Sequence, residues 1–233
     1  MMPRTLRVGG ITPFTATDYP GQLAAVVFVQ GCPWRCGYCH NPHLQQRHSG
    51  LLDWESVMDF LRRRVGLVDA LVFSGGEPTI DPCLQQAIAD VRALGFKVGL
   101  HTAGIYPDRL GQVLPMLDWV GFDIKAPVTH YASVTGVAGS GAAAFACARM
   151  VIDSGIAHEC RTTLHPALLT DTQLLELATT LSDMGVRNYA LQMFRPTGCA
   201  DAGLSLARSS APAAATLDAI GALFPTFTLR RPD

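Results

Sequence analysis

The chain has 233 residues, 48% of them hydrophobic and 16% charged, enough to bury a sizeable core without disulfide or metal staples. Its 18 Lys and Arg against 19 Asp and Glu leave a formal net charge of −1, with one dense basic cluster at Arg62, Arg63 and Arg64, so no nucleic-acid partner is expected. The longest apolar run near the start, residues 23–29, is far short of the ~20 residues of a membrane span, and residues 1–14 lack an apolar leader core, so the expectation is a cytoplasmic protein with no membrane partner.

Apolar runs of strand length alternate with amphipathic stretches of helix length from residue 23 onward. In chain order the spacing predicts a strand at 23–29, a helix at 53–65, a strand at 68–74, a helix at 82–94, a strand at 97–102, a helix at 107–117 and a strand at 119–125. A helix at 141–154, a strand at 157–164, a helix at 171–184, a strand at 187–193, a helix at 211–223 and a strand at 226–229 follow. Asp53 and either Thr170 or Asp171 suit helix caps, Pro82 and Pro107 suit first turns, and Gly66, Gly95, Gly155 and Gly185 follow helix ends. This alternation implies an α/β fold with a parallel sheet covered by helices. No repeat or linker interrupts it, and apart from a short Ala- and Ser-rich tract at 205–215 nothing is of low complexity, so a single domain over 1–233 is expected. Periodicity alone fits both a partial barrel and an open doubly wound sheet.

The strand at 23–29 runs into Gln30-Gly-Cys32-Pro-Trp-Arg-Cys36-Gly-Tyr38-Cys39-His40-Asn-Pro42, a loop at the carboxyl end of a buried strand, where α/β proteins place their sites. Of seven cysteines, three crowd here, while Cys83, Cys147, Cys160 and Cys199 lack the spacing of a second cluster and are expected to be buried, inert thiols. Four chemistries fit the loop. Cys36 and Cys39 could be a redox pair, which leaves Cys32 unexplained. Cys36 to His40 matches a haem-attachment pattern, which normally requires export. Cys32, Cys36 and Cys39 with His40 or His43 could hold zinc. The same three thiolates could hold three irons of a [4Fe-4S] cluster and leave one iron open.

The Cys-x3-Cys-x2-Cys spacing with Tyr38 before the last cysteine resembles the radical SAM signature, and Gly75-Gly76-Glu77-Pro78 resembles that superfamily's second motif. With Thr17-Asp-Tyr-Pro-Gly21, Asp123-Ile-Lys-Ala-Pro127 and Arg161-Thr-Thr163, the chain between about Asp18 and Arg195 is similar to the activating enzymes of glycyl radical enzymes, most narrowly those serving anaerobic ribonucleoside-triphosphate reductase. The resemblance implies a partial (βα)6 TIM-type barrel with outer helices, a core at about 18–195, and an extension at 196–233 that completes or covers it. It implies that Cys32, Cys36 and Cys39 bind the [4Fe-4S] cluster and that S-adenosyl-L-methionine (SAM) binds the open iron. Tyr38 would lie near the adenine, Gly75 and Gly76 would let backbone approach the methionine moiety, and Glu77 would face its ammonium. Thr102 would join the cofactor site, Lys125 would meet the SAM carboxylate, and Asp123 would order the site. The implied activity is oxidoreductase: formation of a glycyl radical on the reductase, with electrons from a donor such as flavodoxin or ferredoxin. The cofactors carry that chemistry, so no side-chain general base is assigned.

One departure stands out. His101-Thr-Ala-Gly104 replaces the Asp-Thr-Asn-Gly usual in the relatives, and a neutral imidazole is a poor ligand for the monovalent cation that some of them bind. Glu159, Arg161 and Thr163 alternate on one strand face and Gln192 ends a later strand, a polar set facing the interior.

Overall fold

The structure, a computed structural model, describes residues 5–47, 52–199, 201–206 and 211–231. Residues 1–4, at the start of the stretch read for a leader, and residues 207–210 of the Ala- and Ser-rich tract lie outside the described residues. The chain divides into two compact units, Met1–Pro33 with His43–Gly121 and Trp34–Pro42 with Phe122–Asp233.

The first unit opens with β1 (Val8–Thr15), paired antiparallel with β2 (Ala24–Val29). The sequence reading places no strand before residue 23, so β1 is a correction. Its Gly9, Gly10 and Pro13 dilute the apolar signal, and its pairing carries two register shifts, which suits an edge strand where Pro is tolerated. Helix α1 (Trp54–Arg62) then leads to β3 (Ala70–Gly75), α2 (Leu84–Ala93) to β4 (Lys97–Thr102), and α3 (Pro107–Val113) to β5 (Trp119–Asp123), whose last two residues belong to the second unit. β2, β3 and β4 pair parallel, Val26 opposite Val72 and Phe73 opposite Leu100. Both faces of β2 and β3 are buried, which is why they read as continuous apolar runs and not as alternating ones. On one face Val26 and Val72 pack with Tyr19 and Trp119, whose rings stack at 5.3 Å.

Asp53 caps α1 as expected, accepting from the Ser56 amide at 2.8 Å. Pro82 does not open α2. Asp81 holds the next turn through the Cys83 and Leu84 amides, so the helix starts at Leu84 with Pro82 before it. The helix expected to reach residue 117 stops at Val113 and tightens into a 3-10 turn at Leu114–Met116, where Pro115 offers no amide. β5 ends at Asp123, two residues short of the expected strand, leaving Lys125 just beyond it.

The second unit carries α4 (Tyr131–Thr135), α5 (Ser140–Asp153), β6 (His158–Leu164), α6 (Asp171–Asp183), β7 (Asn188–Met193), α7 (Ala202–Leu206), α8 (Ala214–Leu223) and β8 (Thr226–Arg230). β6, β7 and β8 pair parallel, Cys160 opposite Tyr189 and Tyr189 opposite Phe227. Thr170 is the cap of α6 and forms a reciprocal box with Gln173, satisfying two otherwise orphaned amides. α4 and α7 are single short turns that helical periodicity is too brief to reveal. Among the described residues no single helix is long and apolar enough to cross a membrane.

Candidate functional site

In the first unit the loops after β2 and β3 meet through backbone. The Gly31 amide donates to Leu44 O at 2.8 Å and the Cys32 amide to Gln45 O at 3.1 Å, closing the base of the loop that starts the cysteine motif. The loop after β3 is laid against it: Gly76 N donates to Val29 O at 3.0 Å and Glu77 N to Gly31 O at 2.8 Å. Gly75 has φ +115°, and a Cβ there would stand 2.5 Å from Val29 N. A Cβ on Gly76 would land on the Gly31 carbonyl. Both glycines therefore have a reason internal to the protein, the contact of β3's end with β2's end.

Glu77 is fully buried, and its carboxylate binds inside the unit. Oε1 accepts from Thr79 Oγ1 at 2.6 Å, Thr102 Oγ1 at 2.7 Å and Thr79 N at 3.2 Å, and Oε2 accepts from Ala103 N at 2.9 Å. Burial pushes the Glu77 carboxyl up from its ordinary pKa, and these bonds pull the other way. Thr102, itself buried, accepts in turn from Gly104 N at 3.0 Å. Glu77 and Thr102 thus tie the loop after β3 to the end of β4. His101 contacts Asp18 O through Nε2 at 2.8 Å and Ser74 Oγ through Nδ1 at 3.3 Å, so both ring nitrogens are engaged locally. His43, the distant candidate for zinc, is exposed.

In the second unit the Cys36-Gly-Tyr-Cys39 turn is closed by Cys39 N donating to Cys36 O at 3.0 Å and anchored where Arg35 N donates to Thr135 O at 2.8 Å. Tyr38 is buried and its hydroxyl makes no hydrogen bond, while Lys125 Nζ stands 5.6 Å from the centre of its ring. Asp123 divides its carboxylate between Arg161 Nε at 3.0 Å and Lys125 Nζ at 3.7 Å. Burial pushes the Cys36 thiol up, and Lys125 pulls it back. Burial works against the Lys125 charge, but Tyr38, Asp123 and Cys36 together more than offset it and the ammonium is held protonated. The fully buried Tyr131, which no motif singles out, accepts from the Lys125 amide at 3.1 Å.

Cys36, Tyr38, Asp123, Lys125 and Arg161 are therefore neighbours in one unit, and Gly75, Gly76, Glu77, Thr102 and the Gly31–Cys32 backbone in the other. Of the remaining cysteines, Cys147 and Cys160 are buried as expected, whereas Cys83 and Cys199 are half-buried. Cys199 is held at a loop surface by donating to Gly37 O at 3.4 Å. Among the described residues no three His, Cys, Asp or Glu side chains are gathered at one point.

A family model for the radical SAM superfamily matches residues 26–191, and the chain belongs to that superfamily. It is 29% identical over 207 residues to a provisionally named glycyl-radical enzyme activating enzyme of Methanocaldococcus jannaschii, covering 83% of this chain and 82% of that one. It is also 29% identical over 187 residues to the pyruvate formate-lyase-activating enzyme of Streptococcus mutans, covering 73% of this chain and 70% of that one. Among solved structures it is similar to SuiB of Streptococcus suis, with a TM-score of 0.68 at 12% identity. The match covers 88% of this chain and 48% of that one, so this chain spans about half of SuiB. QueE of Escherichia coli matches with a TM-score of 0.52 at 17% identity over 81% of this chain and 84% of that one. These likenesses show the fold, the α/β class with parallel strands and the partial barrel expected from the sequence. The protein is a radical SAM enzyme with a [4Fe-4S] cluster and SAM as its cofactors. The residues present suit them: thiols on a tight turn, a buried phenol without a hydrogen bond, and a cation beside both.

Proposed function

We propose that this protein forms a glycyl radical on anaerobic ribonucleoside-triphosphate reductase. The observation that carries the reading is the set of local motifs in one chain that is similar over most of its length to two proteins named as activating enzymes. The whole chain would act as one radical SAM domain, core at about 18–195, with 196–233 completing or covering it. Cys32, Cys36 and Cys39 would ligate the cluster. When bound, the cluster and SAM supply one-electron cleavage of the sulfonium and a carbon radical able to take hydrogen from a glycine Cα.

This chain's residues bind, orient and exclude water. Lys125, kept protonated, would hold the SAM carboxylate, and Asp123, clamped by Arg161, would keep the ammonium of Lys125 in place. Tyr38 would give the adenine a flat apolar wall. Gly75 and Gly76 would present backbone to the methionine end; Glu77, whose buried carboxylate is taken up by Thr79, Thr102 and Ala103, would brace that backbone from behind with Thr102 and not face the ammonium as the motif resemblance implies. No side chain moves a proton in this scheme. The enzyme would work in the cytoplasm with an electron donor such as flavodoxin or ferredoxin, and without nucleic acid or membrane.

The test is anaerobic reconstitution with iron and sulfide, reduction, and EPR with and without SAM, beside Cys36→Ala. The expected result is a reduced-cluster signal that changes on adding SAM and is lost in the variant. Incubation with the reductase, and in parallel with pyruvate formate-lyase, should then give a glycyl radical signal on the reductase. A radical on pyruvate formate-lyase alone would replace the proposed partner, and uptake of zinc without a cluster signal would end the reading.

A further inference from the structure

The second unit holds a cavity of about 550 Å³. Its floor is a row across three parallel strands, Thr163 of β6 opposite Gln192 of β7 and Gln192 opposite Arg230 of β8, so the three side chains share a face. Arg195 and Arg231 stand exposed at its rim, and His40 forms a wall. That wall is fixed: His40 Nε2 contacts Arg195 O at 2.9 Å and its ring stacks on Phe194. His40 follows Cys39 directly, so the cavity adjoins the cysteine turn.

The lining has one electrostatic sign. It contains three arginines and no acidic side chain. Glu159 lies beside it and is consumed by Arg230 in two contacts, at 2.8 and 2.9 Å. Arg195 and Arg231 make no ion pair among the described residues. A hydroxyl, an amide and guanidinium groups around one space are the donors that recognise an oxyanion, and arginine forks match carboxylate and phosphate alike. A purely structural polar layer would pair its charges internally, as Asp123 and Arg161 do in the same unit.

We infer that this cavity is a substrate-side subsite for an oxyanion, a carboxylate or a phosphate group, held by Arg195, Arg231 and Arg230 next to the cysteine turn. The inference rests on the proposed function only in taking the occupant to be part of that substrate. A carboxylate fits an acidic side chain of the partner polypeptide near its glycine, and a phosphate fits a nucleotide bound to that partner.

The test uses the reconstituted holoenzyme with SAM, without oxygen, and titrates sodium succinate and sodium tripolyphosphate by calorimetry. Arg195→Ala and Arg231→Ala are the informative variants, because neither residue has an ion pair to lose, and Arg62→Ala on α1 is the control. At least one probe should bind, and each rim substitution should weaken it about tenfold or more, as loss of a charge-assisted contact does, with the control unchanged. Tighter binding of succinate assigns the carboxylate source, and tighter binding of tripolyphosphate the phosphate source. If neither probe binds, or the rim variants bind as the parent does, the inference is overturned. EPR of the unmodified enzyme with the reductase reports on the proposed function separately. A glycyl radical without anion binding would end only the subsite, and anion binding without a glycyl radical would end only the partner assignment.

Discussion

Gly76→Ala is the substitution for which the structure gives the sharpest expectation. The added Cβ would land on the Gly31 carbonyl oxygen, 2.8 Å from Gly31 C and 3.1 Å from Leu44 O, all backbone atoms that no rotamer change can remove. Relief requires separating the ends of β2 and β3, which are joined there by Gly76 N to Val29 O at 3.0 Å and Glu77 N to Gly31 O at 2.8 Å. Losing those two bonds costs about 1–3 kcal/mol, and overpacking a closed contact costs about 1–3 kcal/mol more. A net loss of about 2–6 kcal/mol corresponds to a Tm lower by roughly 4–24 °C for a chain of this size. Because Gly31 precedes Cys32, the same shift should reduce iron bound per chain after reconstitution. Thermal unfolding and iron content should be read beside Gly221→Ala in α8, whose Cβ would meet only the Phe227 ring at 3.4 Å and which should be neutral to mildly stabilising, because Ala favours a helix interior over Gly. A Gly76→Ala protein with the parent's Tm and full iron content would refute the argument that backbone contact requires this glycine.

Other expectations follow from the same contacts. Burial raises the Glu77 pKa above 4.5 in the folded state, so the folded chain binds more protons than the unfolded one just above that pH. Its contribution to stability is fully present below about pH 4.5 and is lost as pH rises through the folded value, and Glu77→Gln should remove that slope from urea midpoints measured across the window. Lys125→Met should weaken SAM binding about tenfold to a hundredfold, as loss of a charged hydrogen-bond donor does, in equilibrium dialysis of the reconstituted enzyme; an unchanged Kd would place the carboxylate elsewhere. Thr170→Ala removes one half of the α6 capping box and should cost about 1 kcal/mol in urea unfolding, with no effect on iron content.

The sequence revealed what is encoded locally. Apolar runs marked β2 to β8, and the Gly residues at 95, 155 and 185 close helices with positive φ, because a left-handed residue after a helix needs no distant partner. β1 escaped notice because a strand of Gly, Thr and Pro owes its existence to the edge of β2 and not to its own pattern. Pro82 failed as a helix start for a similar reason, since Asp81 holds the turn before it, and Asp81 is itself fixed by Arg47 at 2.8 Å from 34 residues earlier.

The site divides along the same line. The cysteine turn and the Gly-Gly pair were legible because their chemistry lies in spacing of a few residues. Besides the local Thr79, the partners of Glu77 are 25 and 26 residues ahead at Thr102 and Ala103, and the clamp on Asp123 is Arg161, 38 residues on, so composition could not rank them. That clamp also separates two side chains that look equivalent in sequence. Arg161 is committed to Asp123 by a hydrogen bond at 3.0 Å, whereas Lys125 lies 3.7 Å from the same carboxylate, near enough for charge pairing and too far for a hydrogen bond. An ammonium kept charged but not saturated by its neighbour retains donors for a carboxylate brought by a ligand, and a guanidinium holding that neighbour in place does not need to. An ion pair and a ligand contact are therefore not competing readings of Asp123 and Lys125, because Asp123 joins Tyr38 and Cys36 in favouring the charged lysine without using up its donors.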